Sequence, residues 1–239
     1  MPSHASNFDR AGGADAEGRH QALGVVAGVD PILLCDWNGT LVSDLDRAWR
    51  ATCEVLRAHE LPGLDVEEFG RRFRLPLASF FSDLGLADDL DGAIEDWNDH
   101  MARTVPRPNP GALEMLEYVA SSGIVIGVVS AARTDVVRGD VVALGFDPHL
   151  SFVLGGVESK AEILTAIVAS SAREVTYLGD TEYDMRSAVA AGATAVGYSG
   201  GYRPASALLE AGAQAVVGSL HEVGYLMLGD LSAASPSRD

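Results

Sequence analysis

The sequence predicts an α/β fold, a Rossmann-like parallel sheet core with an inserted all-helical cap domain, and three observations lead there. The run Ile32-Leu33-Leu34-Cys35 is apolar without alternation and stops at Asp36, as in a strand buried on both faces. From residue 111 onward, short apolar strands alternate with helical patterns over about 110 residues, which means βαβ units and a parallel sheet. Between these parts, residues 44–107 carry helical periodicity only.

Taken in order, residues 1–28 are rich in Ala, Gly, Asp and His and lack the basic start and apolar centre of a signal peptide, so a disordered leader is expected. The core is expected over 29–43 and 109–228, the cap over 44–108, and a disordered tail over 229–239. Asn38-Gly39 is a strong hairpin signal. The helical pattern opening at Ser43-Asp44 leaves no second strand for a hairpin. Ser43 is expected to cap a helix running to about Glu60, with Leu45, Trp49, Cys53 and Leu56 on one stripe. Leu61-Pro-Gly-Leu64 breaks that helix, and Asp65 opens another with acid in its first turn. Helices follow over about 78–84 and 88–103, then a stiff connector, Pro106-Arg-Pro-Asn-Pro110. The core continues as helix 112–120, strand 124–129 ending at Ser130, helix 134–144 and strand 152–154. Lys160 opens helix 161–170, and strand 175–178 runs into Gly179-Asp180-Thr181. Helix 183–191, strand 194–198, helix 205–211 and strand 215–217 complete the pattern.

A hydrophobic content of 47% with 21% charged residues fits a globular chain with a full core. A formal charge of −17 argues against nucleic acid and anionic membrane surfaces as partners. No apolar run reaches the roughly 18 residues of a membrane span. Two cysteines, Cys35 and Cys53, make no disulfide framework, and a reducing cytoplasm is the expected location. An anionic substrate would need local positive charge from a metal ion or a placed cation. Of 17 basic residues, 16 are Arg and one is Lys160, which points to a need for a compact ammonium there.

Four strand ends or helix starts carry reactive groups: Asp36, Ser130, Lys160, and Asp180 with Asp184. In a parallel sheet all strand carboxyl ends share one edge, so these groups converge. Taken singly, each has a plain reading: Asp180 as a helix cap, Ser130 as a turn residue, Lys160 as a solvated helix start. Together, carboxylates with a hydroxyl and an ammonium suit a magnesium ion and a phosphoryl group.

Asp36-Trp-Asn-Gly-Thr40, Val128-Val-Ser130, Lys160 and Leu178-Gly-Asp-Thr-Glu-Tyr-Asp184 resemble, in their usual order, the four motifs of the haloacid dehalogenase superfamily. The similarity covers about residues 31–225. With Ala190-Ala-Gly192 and Gly200-Gly201 it is closest to the phosphoglycolate-phosphatase-like branch with a helical cap. The resemblance implies a Mg2+-dependent phosphatase acting on a small phosphorylated metabolite. Asp36 would be the nucleophile, forming an aspartyl-phosphate. Ser130 and the Ala131 N–H would bind phosphoryl oxygens, and Lys160 would neutralise developing charge. Asp36, the Asn38 carbonyl and Asp180 would hold Mg2+, with Asp184 orienting a metal water or Lys160. Arg74, in Arg71-Arg72-Phe73-Arg74, is the candidate substrate contact from the cap.

One departure stands out. Family phosphatases usually carry Asp two residues after the nucleophile as general acid and base, and here it is Asn38. An amide cannot exchange protons, and such help is typically worth about 10²–10⁴ in rate. A slow phosphatase, a substrate with a good leaving group, and a catalytically degenerate or phosphotransfer-type member all follow as readings. Ala131 and Ala132 also replace polar residues that often follow the motif-two Ser. Phosphonoacetaldehyde hydrolases share the Asp36-Trp37 opening but need a cap lysine, and 44–107 contains none. Outside the superfamily, Gly197-Tyr-Ser-Gly-Gly201 with Glu210 and His221 matches a serine-hydrolase elbow and residue order. Pro204 interrupts the segment where such an elbow should enter its helix.

Overall fold

The computed structural model describes residues 16–26, 31–171 and 174–229. Strand β1 (Ile32–Cys35) is buried throughout, as its unalternating apolar run requires. It lies inside a six-stranded sheet with β4 (Val125–Val129), β5 (Phe152–Leu154), β6 (Val175–Gly179), β7 (Thr194–Tyr198) and β8 (Ala215–Val217). The order is β5-β4-β1-β6-β7-β8, and every pairing is parallel. The chain winds outward from β1 on one side and then on the other, so the crevice for a ligand opens beyond the carboxyl end of β1. Register places Cys35 beside both Val128 and Leu178. Asp36, Ser130 and Asp180 therefore emerge together within two residues of that line.

Helices α6 (Ala112–Ser121), α7 (Thr134–Leu144) and α11 (Leu220–Leu228) cover the face of Leu33, Cys35, Ile126 and Val128. Helices α1 (Ala16–Val26), α8 (Lys160–Ser170), α9 (Glu182–Ala191) and α10 (Ala205–Glu210) cover the face of Ile32, Leu34, Val129 and Tyr177. Two of these were not in the sequence pattern. The expected leader fails over α1, whose Ala22 and Val26 are buried beside edge strand β5 and α8. Its weak amphipathic signal gains stability from tertiary packing rather than propensity. The rest of that leader, and the expected tail beyond Gly229, lie outside the described residues. Helix α11 buries Leu220 and Val223 against α6. No helix among the described residues is long and apolar enough to cross a membrane.

The helical block between β1 and β4 is α2 (Leu45–Ala58), α3 (Val66–Arg72), α4 (Leu77–Asp83) and α5 (Leu90–Ala102). It has its own core, in which Phe69, Phe73, Phe80, Phe81 and Trp97 pack together with Val55 and Leu56. The expected α/β core with an inserted helical cap is thus what the chain forms. Its base differs from the expected connector. Strand β2 (Val42–Ser43) pairs antiparallel with β3 (Arg107–Pro108), so both chain crossings into the cap run in one short ribbon. Ser43 belongs to β2, and Asp44 takes the α2 N-cap position without a side-chain capping bond.

A buried ion pair fixes the root of the cap. Arg47 on α2 donates to both carboxylate oxygens of Asp140 on α7 (2.6 and 3.1 Å), and its Nε donates to Met101 O at the end of α5 (2.9 Å). Trp37, next to Asp36, donates to the same carboxylate (3.2 Å). Removing one partner of a buried pair strands the other charge. Arg47→Ala is expected to lower stability by about 3–5 kcal/mol in urea unfolding, and Asp140→Asn, which keeps an acceptor, by less. Equal losses would place the effect in the stranded charge, since Asp140→Asn leaves the packing intact.

Candidate active site

The loop after β1 is built for close approach. The Asp36 N–H donates to Leu178 O on β6 (2.8 Å), and Leu41 and Val42 donate back to Trp37 O (3.0 and 3.1 Å). Asn38-Gly39 makes a turn inside this loop rather than a hairpin, with Gly39 at φ 79°. A Cβ on Gly39 would also run into Asp180 Oδ2 and the Tyr202 ring, so glycine is required there twice over. Asn109, from the connector, donates to the carbonyls of Gly39 (2.9 Å) and Thr40 (2.8 Å) and clamps the loop from below.

Lys160 lies at the centre, fully buried, with Nζ 2.7 Å from Asp36 Oδ1 and 2.6 Å from Asp184 Oδ1. Asp184 is held on both oxygens. Oδ1 also accepts from Tyr177 (3.3 Å), and Oδ2 accepts from the N–H (3.0 Å) and hydroxyl (2.5 Å) of Thr181. Thr181 is the N-cap of α9, with Asp184 completing a capping box. The plain reading of Asp180 as a helix cap is thereby removed. Its carboxylate instead accepts from Thr40 Oγ1 (2.9 Å) and the Tyr202 N–H (2.7 Å).

Burial pushes Asp36 up to about 7, against the pull of Lys160 and with a further push from Asp184. Burial, Asp184 and Asp36 hold Asp180 well above the usual carboxylate range. For Lys160 burial works against the charge, and Asp184 and Asp36 outweigh it, so the ammonium persists. Asp36, Asp180 and Asp184 each offer an oxygen within 4.8 Å of the others. Three buried carboxylates against one ammonium leave negative charge that a hard divalent cation would offset, and the donors are all oxygen. The residues present fit Mg2+.

Ser130, at the end of β4, is buried beside Asp36, and its hydroxyl lies 3.5 Å from Asn38 Oδ1 and accepts from the Ala132 N–H (3.2 Å). Asn38 Nδ2 donates to Asp44. Asp44 is buried, and burial raises it to about 6, opposed by the Asn38 hydrogen bond. The Tyr202 hydroxyl also donates to it (3.3 Å). These side chains, with Ala131 and the cap residues Phe73, Leu77 and Trp97, enclose a cavity of about 20 Å³, space for about one water. A larger space of about 720 Å³ adjoins it at Leu77 and Ala131. It lies between α4, α5 and the loops after β4 and β5, with Asp91, Glu95, Asn98, Arg133 and Glu158 on its walls.

Asp36, Asn38, Ser130, Ala131, Lys160, Asp180 and Asp184 are thus brought together by the fold. Arg74 is not among them. It is exposed, pairs with Asp83, and lines neither space. The cap arginine run faces solvent because Phe73 takes the inward position. The serine-hydrolase set does not assemble: Ser199 donates to Val217 O (3.2 Å), and the His221 ring lies against Gly111. Asp44, Asn109 and Tyr202 carry no signal in the sequence beyond being polar residues in or beside loops.

The family pattern described as haloacid dehalogenase-like hydrolase matches residues 33–198. Among solved structures, the chain is similar to a predicted phosphatase from Clostridium acetobutylicum, with a TM-score of 0.75 and 17% identity over 85% of this chain and 99% of that one. It is similar to a haloacid dehalogenase-like family hydrolase from Streptococcus pneumoniae, with a TM-score of 0.71 and 18% identity over 80% and 95%. A predicted phosphoglycolate phosphatase from Haemophilus somnus gives 0.69 and 19% over 82% and 96%. Among curated proteins no relative matches.

The raised carboxylates set a direction for metal-free stability. The folded form holds protons on Asp36 and Asp44 that the unfolded chain takes up only near pH 4. That stabilisation is present at acid pH and is lost as pH rises through about 6 and 7. In excess chelator the urea midpoint is expected to fall between about pH 5.5 and about pH 7.5. A midpoint that climbs across this window would contradict the assignment.

Proposed function

This chain belongs to the haloacid dehalogenase-like hydrolase family, and from that premise we propose that it is a Mg2+-dependent phosphatase for a small phosphorylated metabolite. The observation that carries the reading is Lys160 held between Asp36 and Asp184, with Asp180 and Ser130 at the same sheet edge. Asp36, Asp180 and the Asn38 main-chain carbonyl would hold the ion, which supplies positive charge for phosphoryl oxygens when bound. Asp184, with both oxygens committed to protein donors, acts mainly by fixing the Lys160 ammonium.

An Asp36 oxygen attacks phosphorus and the bond to the leaving oxygen breaks, giving an aspartyl-phosphate and an alkoxide or phenoxide, which takes its proton from water. Ser130 and the Ala131 N–H receive the phosphoryl oxygens, and Lys160 offsets their charge in a site without bulk water. Water then attacks phosphorus, and phosphate leaves Asp36 free. The space of about 720 Å³ beside Ala131 is where the leaving group extends.

The proton inventory sets the rate. Asn38 cannot protonate the leaving oxygen or accept a proton from water, and its amide is held by Asp44 on one side and Ser130 on the other. This favours slow phosphate release, aspartyl-phosphate build-up and acidic leaving groups, the phosphotransfer-type behaviour within the same fold.

Asp36→Asn is expected to abolish turnover of an aryl phosphate while keeping the native circular dichroism spectrum, with a lower melting temperature because the buried Lys160 loses one of its two partners. Turnover that survives this change, or excess chelator, would sink the covalent metal-dependent reading. Asn38→Asp would set two buried carboxylates against each other at Asp44, so one keeps a proton at neutral pH, as a general acid must. Single-turnover hydrolysis should accelerate by roughly ten- to a thousandfold, within the range for acid–base catalysis. An alkyl ester should gain more than an aryl ester, and equal gains would show that protonation of the leaving group is not limiting.

A further inference from the structure

The cavity over Asp36 holds about 20 Å³ and is walled on one side by Phe73, Leu77 and Trp97 of the cap, so the seat of the cap sets the room above the nucleophile. What seats the cap on the side of β7 is one loop of the core. Arg203 donates through Nη1 to Gly70 O (2.9 Å) and through Nη2 to Phe73 O, the carbonyls at the carboxyl end of α3. A cation is favoured at that end of a helix. Glu182, in the first turn of α9, holds the Arg203 Nε (3.0 Å) and keeps the guanidinium aimed at the cap.

The preceding residue faces the other way in function. The Tyr202 N–H donates to Asp180 Oδ2 (2.7 Å), while its ring packs on Phe73 of the cap at 5.1 Å between centroids and its hydroxyl reaches Asp44. Gly201 precedes it with no room for a Cβ, which would run into Asp180 Oδ2. Pro204 fixes the far end at the start of α10. One peptide unit therefore separates the group that grips the cap from the group that grips Asp180, and a stiff frame on both sides leaves little slack to absorb a movement.

We infer that Tyr202 and Arg203 are positioning residues that tie the seat of the cap to Asp180, so that freeing the cap weakens the site for a divalent cation and cation binding seats the cap. Such a tie is reciprocal by linkage. The inference rests on the metal reading above, and the test separates the two.

The measurements are Mn2+ binding by calorimetry, with the metal alone, and limited trypsin cleavage at Arg71, Arg72 and Arg74 beside the Arg203 contact. Arg203→Ala should bind Mn2+ about five- to tenfold more weakly, in the range of ordinary coupling between sites, and should be cut faster in the cap. Mn2+ should slow cap cleavage in the native protein and have much less effect in the variant. Arg203→Lys, which keeps the charge but cannot span two carbonyls, should fall between them, and it guards against a variant that merely folds poorly. A lower melting temperature with unchanged Mn2+ affinity in Arg203→Ala would make the contact purely structural and overturn the tie. A native protein that takes up no Mn2+ at all would overturn the metal reading itself, and the tie with it.

Discussion

Lys160 keeps its charge where water is excluded, and it does so only because Asp36 and Asp184 meet it at 2.7 and 2.6 Å. An isolated ammonium in that position would shed its proton or unfold the region. The requirement runs through three elements. α8 must start where its first side chain reaches the end of β1, and α9 must present Asp184 from its first turn. β6 must end so that Asp180 faces the same point without joining the ammonium. A lysine satisfies this and an arginine would not, since a planar fork needs more room and more acceptors than two converging oxygens supply. That explains why a chain with 16 arginines departs from arginine here.

The sheet and the acidic cluster were legible in the sequence for one reason: both depend on strand ends. Unalternating runs mark buried parallel strands, and reactive residues at their carboxyl ends converge whatever their sequence separation. The rest of the site is made by contacts that no local pattern encodes. Tyr202 reaches Asp44 across 158 positions and Asn109 reaches Gly39 across 70, each from a loop whose composition reads only as a turn. Ser43 and Asp44 are equally good N-caps by residue type, yet Ser43 is taken into the β2–β3 ribbon and leaves the N-cap to Asp44. The Asp44 side chain in turn caps nothing, because it is drawn into the site. Arg74 misled for the converse reason. A basic run in a cap suggests an anion, but Phe73 within it is the residue with apolar surface to bury, and it turns the arginines outward.

Asn38 is best understood through its neighbours. Its oxygen faces Ser130 and its nitrogen faces Asp44, so the amide is used fully as a bridge between the end of β4 and the root of the cap. An aspartate there would have no hydrogen to give Asp44 unless one of the two carboxyls were protonated. The position has been filled by a group that completes a polar network without carrying a mobile proton. The network gains rigidity from that choice, and the site loses an exchangeable proton beside Asp36.

The long-range field runs against the substrate that this site would take. The chain carries −17, and the larger space beside Ala131 has Asp91, Glu95 and Glu158 on its walls. The one cation on those walls among the described residues, Arg133, is already committed to Asp99 and Asp135 at 2.7 and 2.6 Å. A phosphate dianion is not steered in by such a surface. On the proposed function its attraction would come at short range, from Lys160, the Ser130 hydroxyl, loop N–H groups and the proposed cation, all behind the cap and away from screening solvent. Selection by charge is therefore left to the last few ångströms, where the three carboxylates oppose any anion that arrives without the metal to offset them.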